Sequence, residues 1–213
     1  WRRTHAPEPA DRLLERILEK RREQWEERYR WERYESKGKE PPSGWKNRYS
    51  KPEAYEHDEE LPKLPSSWEW TNLDHLTTKG PQNGLYLPKK KYGDGSPILR
   101  IDDFQNGWSR KSEELRKVDA EEDDIEKYSL KKGDLVINRV NSITHLGKCL
   151  FVEDKNLPSL FESNMMRLHL TSLCQGKFVE YYLRSPLGHQ TLIQNAKHAV
   201  NQASINQGDV KET

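Results

Sequence analysis

Residues 131–153 read KKGDLVINRVNSITHLGKCLFVE, a turn followed by two apolar runs with a polar segment between them. Leu135, Val136 and Ile137 form the first run, whose length and aliphatic composition are typical of a buried strand. The second run, residues 149–152, predicts another short strand. The polar loop between them has about ten residues, a length that is common in functional loops but also fits an ordinary surface loop.

The polar loop carries side chains of the kind that read DNA bases. Arg139, Asn141, Ser142 and Thr144 follow one another between the two runs. An arginine can form two hydrogen bonds with guanine, an asparagine can form two with adenine, and a hydroxyl can pair with either base. The loop therefore predicts contacts with the edges of bases.

Three segments that follow one another along the chain each match a known sequence motif. They are residues 92–103 (YGDGSPILRIDD), 133–148 (GDLVINRVNSITHLGK) and 198–206 (HAVNQASIN). Together they resemble the opening, central and closing motifs of the target recognition domain in the specificity (S) subunits of type I restriction–modification systems. Their order and spacing also agree, so the resemblance covers about residues 64–210.

The N-terminal part predicts a long charged helix. Residues 10–34 contain neither glycine nor proline and place one apolar stripe opposite a charged face,. The stripe must be covered, either by the chain's own domain or by a second long helix. Residues 13–18 (LLERIL) and 21–26 (RREQWE) resemble the conserved helix between the two recognition domains of an S subunit, which favours the second helix. The residues predicted to pair with it are Leu13, Leu14, Ile17, Leu18 and Trp25.

The chain divides by composition into three parts. We predict a spacer helix over residues 1–37, a linker rich in proline and lysine over 38–63, and a recognition domain over 64–213. Trp45 and Tyr49 in the linker are expected to dock on a neighbouring element. In the domain, the patterns predict strands at 97–101 and 165–170, helices at 113–126, 177–184 and 187–197, and a loop at 80–92. Trp68 and Trp70 alternate as in a half-buried strand, and the fold class is α+β (mixed α/β).

The charge distribution permits nucleic-acid binding without requiring it. The net charge of the chain is +1, but residues 111–127 alone hold four basic and eight acidic side chains. The rest of the chain therefore carries +5, and a near-neutral total can hide a basic face. No apolar run reaches the ~20 residues of a membrane helix. Cys149 and Cys174 lie in apolar surroundings and indicate free thiols, so we expect a cytoplasmic protein,.

We predict DNA contacts from three places in the recognition domain. Lysines before the strand at residue 97 suit phosphate contacts, the central loop suits base contacts, and the closing motif suits either contact or a helix cap. The residues are Lys89, Lys90, Lys91, Tyr92, Arg139, Asn141, Ser142, Thr144, Lys197, His198, Asn201 and Gln202. Arg139 could instead buttress its strand.

The sequence supports a catalytic function less well than DNA binding. Asp134 and the segment Glu153-Asp154-Lys155 could form the metal-binding set of a nuclease, but both fit polar turns beside strands. The sequence contains neither a glycine-rich cofactor loop with the catalytic motif of an adenine methyltransferase nor a Walker loop,. We therefore expect no catalytic residues, no metal site and no cofactor. A coiled-coil scaffold would explain the helix but not the three motifs.

The resemblance implies a part of an S subunit. In that family each of two recognition domains reads one half of a bipartite double-stranded DNA site, and paired helices separate them. Modification (methyltransferase) subunits bind S and use S-adenosylmethionine, while restriction (endonuclease and translocase) subunits use ATP and Mg²⁺. The chain begins at Trp1 and its first methionine is Met165, so we expect a piece of a longer protein. A recognition domain of a fused type II restriction–methylation enzyme is the alternative, and the bases read cannot be predicted because recognition loops vary on a constant scaffold.

Overall fold

The computed structural model describes residues 8–55, 61–65 and 67–213. Parts of three predicted segments lie outside these residues: 1–7 of the spacer, 56–60 of the linker, and Ser66 at the start of the recognition domain. The chain forms two compact units, Trp1–Thr78 and Lys79–Thr213.

The first unit contains the predicted long helix. Helix α1 spans Ala10–Arg33, and a short 3-10 turn, Glu35–Lys37, follows it. Gly38 then takes a left-handed backbone conformation (φ 63°), which glycine adopts without steric cost and which ends the helical course,. A second 3-10 turn, Trp45–Arg48, and a four-residue helix α2, Leu73–Leu76, complete the unit.

Residues 38–55 fold back on α1. Trp45 stacks with Trp25 at a centroid distance of 6.2 Å and with Tyr29 at 6.1 Å, and Tyr49 lies 5.3 Å from Trp25. An ion pair of 2.6 Å between the Nζ of Lys46 and Glu26 supports the same contact. Trp45 and Tyr49 therefore dock as predicted, and their neighbour is the chain's own helix.

Polar contacts hold α2 within the first unit. The guanidinium of Arg21 forms an ion pair of 3.1 Å with Asp74 and also donates to the Asp74 carbonyl. The imidazole of His75 is buried between the hydroxyl of Thr71 and the carbonyl of Glu53, each at 2.7 Å. The predicted strand around Trp68 is wrong, because no strand occurs in the described residues before Thr77 and the Trp68 side chain is exposed.

The stripe of α1 is only partly exposed within this arrangement. Ile17 is buried, with 3% of its surface exposed, and Leu13, Leu14 and Leu18 are half-buried. Trp25 is covered by Trp45 and Tyr49. Pairing of this stripe with a second long helix stays a prediction.

The second unit is built on a four-stranded sheet with the order β1-β10-β6-β8. Its strands are β1 (Thr77–Asn83, which begins at the end of the first unit), β6 (Asp134–Asn138), β8 (Cys149–Phe151) and β10 (Met165–Leu170). Leu135, Val136 and Ile137 are buried, which confirms the prediction from their apolar run, and the polar residues Asp134 and Asn138 at the two ends of β6 are buried as well. Strand β6 pairs in an antiparallel manner with β10, where Val136 faces Arg167, and with β8, where Val136 faces Leu150.

Three smaller sheets surround the first. They have the orders β5-β2-β9, β11-β12-β7 and β3-β4. Their strands are β2 (Tyr92–Leu99), β3 (Phe104–Gln105), β4 (Trp108–Ser109), β5 (Arg116–Val118), β7 (Val140–Asn141), β9 (Leu160–Phe161), β11 (Lys197–His198) and β12 (Ala203–Ser204). The helices of this unit are α3 (Glu122–Tyr128), α4 (Gly176–Arg184), α5 (Pro186–Ile193) and α6 (Gln207–Glu212).

The core of the second unit lies between these sheets. Leu99, Phe104, Val136, Phe161 and Met165 form one buried cluster that joins residues from five different strands. Helices and small antiparallel and parallel strand pairs thus share one core, which confirms the predicted α+β class with a long N-terminal helix.

Two segments differ from their predicted structure. Residues 113–126 were expected to be helical, but they contain a 3-10 turn, strand β5 and only then helix α3, because Val118 is fully buried opposite β2. The predicted loop at 80–92 begins with β1. Strand β10 and helices α4 and α5 confirm the predictions, although Phe178 of α4 is exposed and not part of the core.

In the part of the chain that the structure describes, no helix is both long and apolar enough to span a membrane.

The stacking of Trp45 on α1 gives a test of the first unit. An aromatic pair contributes about 0.5–1.5 kcal/mol beyond its buried area, so Trp45→Ala should speed hydrogen exchange of the Asn47 and Tyr49 amides about tenfold or more. Both amides donate within the turn that Trp45 holds on the helix. Trp31→Ala removes an exposed ring of the same helix and should leave these rates unchanged. Equal rates in both variants would contradict the docking.

Candidate nucleic-acid interface

The central loop begins where the buried strand β6 ends. The amide of Asn138 donates to the Lys148 carbonyl (2.8 Å), and the amide of Gly147 donates to the Asn138 carbonyl (2.9 Å), so the two ends of the loop are tied together. Leu146, which is fully buried, anchors the C-terminal end of the loop. The loop between these points is consequently held on a rigid base.

The closing motif forms a hairpin on the same sheet as the central loop. Strands β11 and β12 pair with each other, and the amide of Ala199 donates to the Gln202 carbonyl (2.7 Å) across the turn. Strand β12 also pairs with β7, where Ala203 faces Asn141. The structure therefore brings together two predicted segments that lie about sixty residues apart in the sequence,.

Loop and hairpin together present one set of side chains, which we call the loop–hairpin surface. It consists of the half-buried Ser142 and of the exposed residues Ile143, Thr144, His145, Lys197, His198, Val200, Asn201 and Gln202. Val200 stands at the tip of the hairpin with 98% of its surface exposed, and Ile143 is 42% exposed. The sequence analysis did not predict either residue as part of the site. The signal that could have found them is an aliphatic residue within a polar segment between short strands.

Within the loop, the hydroxyl groups and the imidazole are already arranged relative to one another. The Ser142 hydroxyl lies 3.2 Å from the Thr144 hydroxyl, and the Nδ1 atom of His145 lies 3.0 Å from each of them. The Oδ1 atom of Asn141 accepts from the Ser142 amide (2.8 Å). These local contacts orient several donors and acceptors, and the tautomer of His145 decides which groups donate.

Arg139 turns away from this surface. Its guanidinium donates to the Ser163 carbonyl (3.1 Å), and its Nε atom is buried without a hydrogen-bond partner. Its backbone amide donates to the Asn164 carbonyl, and its carbonyl accepts from the Ile205 amide. These contacts favour the structural role of Arg139 over the predicted base contact.

The lysines predicted to bind phosphate lie beside a different sheet, β5-β2-β9. Lys89, Lys90 and Lys91 form a 3-10 turn directly before β2. The Nζ atom of Lys91 pairs with Asp119 (2.6 Å) and Glu121 (3.3 Å), and its hydrogen bond to Asp119 raises the pKa of Lys91. Lys89 and Lys90 are exposed. The structure thus separates Lys91, which is already paired with carboxylates, from the other two lysines.

The residues considered for a nuclease have structural partners. Asp134 is buried, pairs with the Nδ1 atom of His169 at 2.5 Å and accepts from the Lys131 amide (2.8 Å). Glu153 lies 3.5 Å from the Nζ atom of Lys177 and 3.8 Å from that of Lys155. Among the residues that the structure describes, no group of three or more His, Cys, Asp or Glu side chains could hold a metal ion.

The inward position of Arg139 predicts an effect on stability. Arg139→Ala removes a charge-assisted hydrogen bond and leaves the Ser163 carbonyl unpaired, so the free energy of unfolding should fall by about 1.5–3 kcal/mol in chemical denaturation. Thr144→Ala, in the exposed part of the same loop, should change it by less than about 0.5 kcal/mol. If the Arg139→Ala variant is as stable as the natural chain but loses its preference at one base pair, the prediction of a base contact by Arg139 would be correct instead.

No protein-family model matches the chain. A protein of Methanocaldococcus jannaschii named as the type I restriction enzyme MjaX specificity subunit is 31% identical over 156 residues, which cover 71% of this chain and 36% of that protein. The type I restriction enzyme EcoKI specificity subunit of Escherichia coli K12 is 26% identical over 132 residues, which cover 61% of this chain and 28% of that protein. The chain therefore spans roughly a third of the length of these two relatives. Over the part that these alignments cover, the chain is similar to the specificity subunits of type I restriction enzymes, which confirms the resemblance that the three motifs indicated.

Proposed function

We propose that the second unit is a target recognition domain that binds duplex DNA and reads one half of a bipartite site through the loop–hairpin surface. The observation that carries this proposal is the shared sheet β11-β12-β7, which places the exposed ends of the central and closing motifs side by side. Recognition of a DNA sequence requires hydrogen-bond donors and acceptors at fixed positions relative to one another. The sheet can hold these groups in place. A two-stranded ribbon also fits the width of the major groove.

The chemistry of the surface suits base edges. Thr144, Asn201 and Gln202 supply hydroxyl and amide groups, which pair with adenine or with either base of a pair. Val200 and Ile143 supply aliphatic groups that can contact the methyl group of thymine,. Lys197 and His198 lie at the start of the hairpin, where a cation is suited to a neighbouring phosphate,.

The remaining parts of the assembly are proposed from the names of the relatives. Both are named as specificity subunits of type I restriction enzymes, so modification and restriction subunits are the proposed protein partners. S-adenosylmethionine, ATP and Mg²⁺ would belong to those subunits, and this chain would carry no catalytic step. Helix α1 would hold the recognition unit at a fixed distance from a second one, with its stripe against a second long helix.

Selection of DNA sequences by the purified chain tests the proposal. A library of duplexes with a randomised segment should yield one short enriched motif, and binding should weaken as the salt concentration rises. The double variant Asn201→Ala/Gln202→Ala should lose about 1–3 kcal/mol at one or two positions of that motif, while its affinity for unrelated duplexes hardly changes.

Lys111→Gln serves as the matched control, because Lys111 is exposed in the acidic segment and pairs there with Glu113. It should enrich the same motif as the natural chain. No enrichment, together with binding that ignores salt, would refute DNA recognition and favour a scaffold. If the double variant Asn201→Ala/Gln202→Ala enriches the same motif as the natural chain, the bases are read by residues outside the loop–hairpin surface.

A further inference from the structure

A cationic concavity lies beside the sheet β5-β2-β9 and is separate from the loop–hairpin surface. It has a volume of about 710 Å³ and is lined by Leu87, Lys89, Tyr92, Gly93, Arg100, Arg116 and Lys117. Four of these residues carry a positive charge and the other three are neutral. Of the four, only Lys89 belongs to the residues that the sequence predicted for DNA binding.

A bulge in β2 shapes this concavity. Tyr92 and Ser96 both face Val118 of β5, so residues 93–95 have no partner in β5, and Gly93 lines the concavity. Gly95 has a φ of 106°, and a Cβ atom there would come within 2.4 Å of the Val118 carbonyl oxygen. Only glycine fits this position, so the bulge explains Gly95,.

Two of the cations, Arg116 and Lys117, are successive residues of the edge strand β5 and both line the concavity. Arg116 faces Ile98 and Lys117 faces Pro97 across the antiparallel pair β2-β5. Arg100, the residue after β2, is fixed by an ion pair of 3.2 Å with Glu162, and its guanidinium lies 5.6 Å from the centre of the Tyr92 ring. In the described part of the chain, neither Arg116 nor Lys117 forms an ion pair.

Tyr92 adds a hydrogen-bond donor to the same wall. The side chain is half-buried, and burial raises the pKa of Tyr92. A tyrosine hydroxyl is a hydrogen-bond donor at neutral pH. Positive charges gathered in a hollow repel one another and raise the local concentration of anions. An arginine presents a planar fork of donors that matches the oxygens of a phosphate.

We propose that this concavity binds a phosphate group and that its occupant is a phosphodiester of the DNA backbone, with Arg116 and Lys117 as the principal contacts. This inference rests on the proposed function and extends it, because it assigns backbone contacts to residues outside the loop–hairpin surface. A phosphate contact positions the protein on the duplex and carries no sequence information.

Binding to the duplex enriched by the natural chain, measured over a range of salt concentrations, tests the inference. Arg116→Gln and Lys117→Gln should each weaken binding to all sequences alike and reduce the slope of log affinity against log salt by about one unit. Both side chains are exposed, so the fold should persist. Lys111→Gln is again the control and should leave the slope unchanged, because its position is exposed and outside the concavity.

A titration of the full chain with inorganic phosphate, followed by the amide resonances of Tyr92 and Gly93, separates the two sources of phosphate. Salt-dependent DNA binding that neither Gln variant alters overturns this inference and leaves the proposed function standing. If the natural chain does not bind DNA but phosphate shifts both resonances, the concavity takes a free phosphate and the backbone assignment fails. If neither DNA nor phosphate binds, both proposals fail. Reduced slopes in both variants support the inference.

Discussion

Strand β6 is buried along its whole length, and the pairing of this strand sets the positions of the other parts of the second unit. Its neighbours β10 and β8 lie on either side, so its backbone groups are satisfied within the sheet and its side chains face the core. Asp134 at its start caps the preceding turn, and Asn138 at its end closes the base of the central loop. An error in register would turn the apolar side chains Leu135 and Ile137 to the opposite face, which makes the position of the loop strongly specified.

The position of the loop–hairpin surface follows from this constraint. The residue after β6 is Arg139, and its backbone and side chain bind Ser163, Asn164 and Ile205. These contacts bring the chain after β9 and the chain after β12 against the base of the loop. The tip of the loop at Ile143 and the tip of the hairpin at Val200 are left exposed. Such an arrangement allows the exposed residues to change without disturbing the core, as a domain with variable recognition requires.

The sequence predicted the elements that have a clear local signal, and it missed those that depend on distant partners. The aliphatic run of β6, the alternation in β10 and the glycine-free helix α1 each carry a periodic pattern, and the structure confirms them. Strands β7 and β12 have two residues each, too few for any period, and only their pairing defines them. The short strand β5 lies within an acidic run that resembles an exposed helix, and so the concavity beside Arg116 could not be foreseen. The side chain of Arg139 points inward because it donates to the Ser163 carbonyl. No local sequence pattern specifies where Ser163 lies relative to Arg139.

The most direct test of the loop–hairpin surface is hydrogen exchange of the full chain with and without the duplex that it selects. We predict slower exchange in the bound protein at residues 141–145 and 198–202, weaker protection at 89–93 and 116–117, and no change in helix α3, Glu122–Tyr128,. A matched duplex with the selected motif scrambled should protect residues 89–93 but not the tips of the loop and hairpin. Protection confined to helix α1 or to helix α3 would contradict the proposed recognition surface.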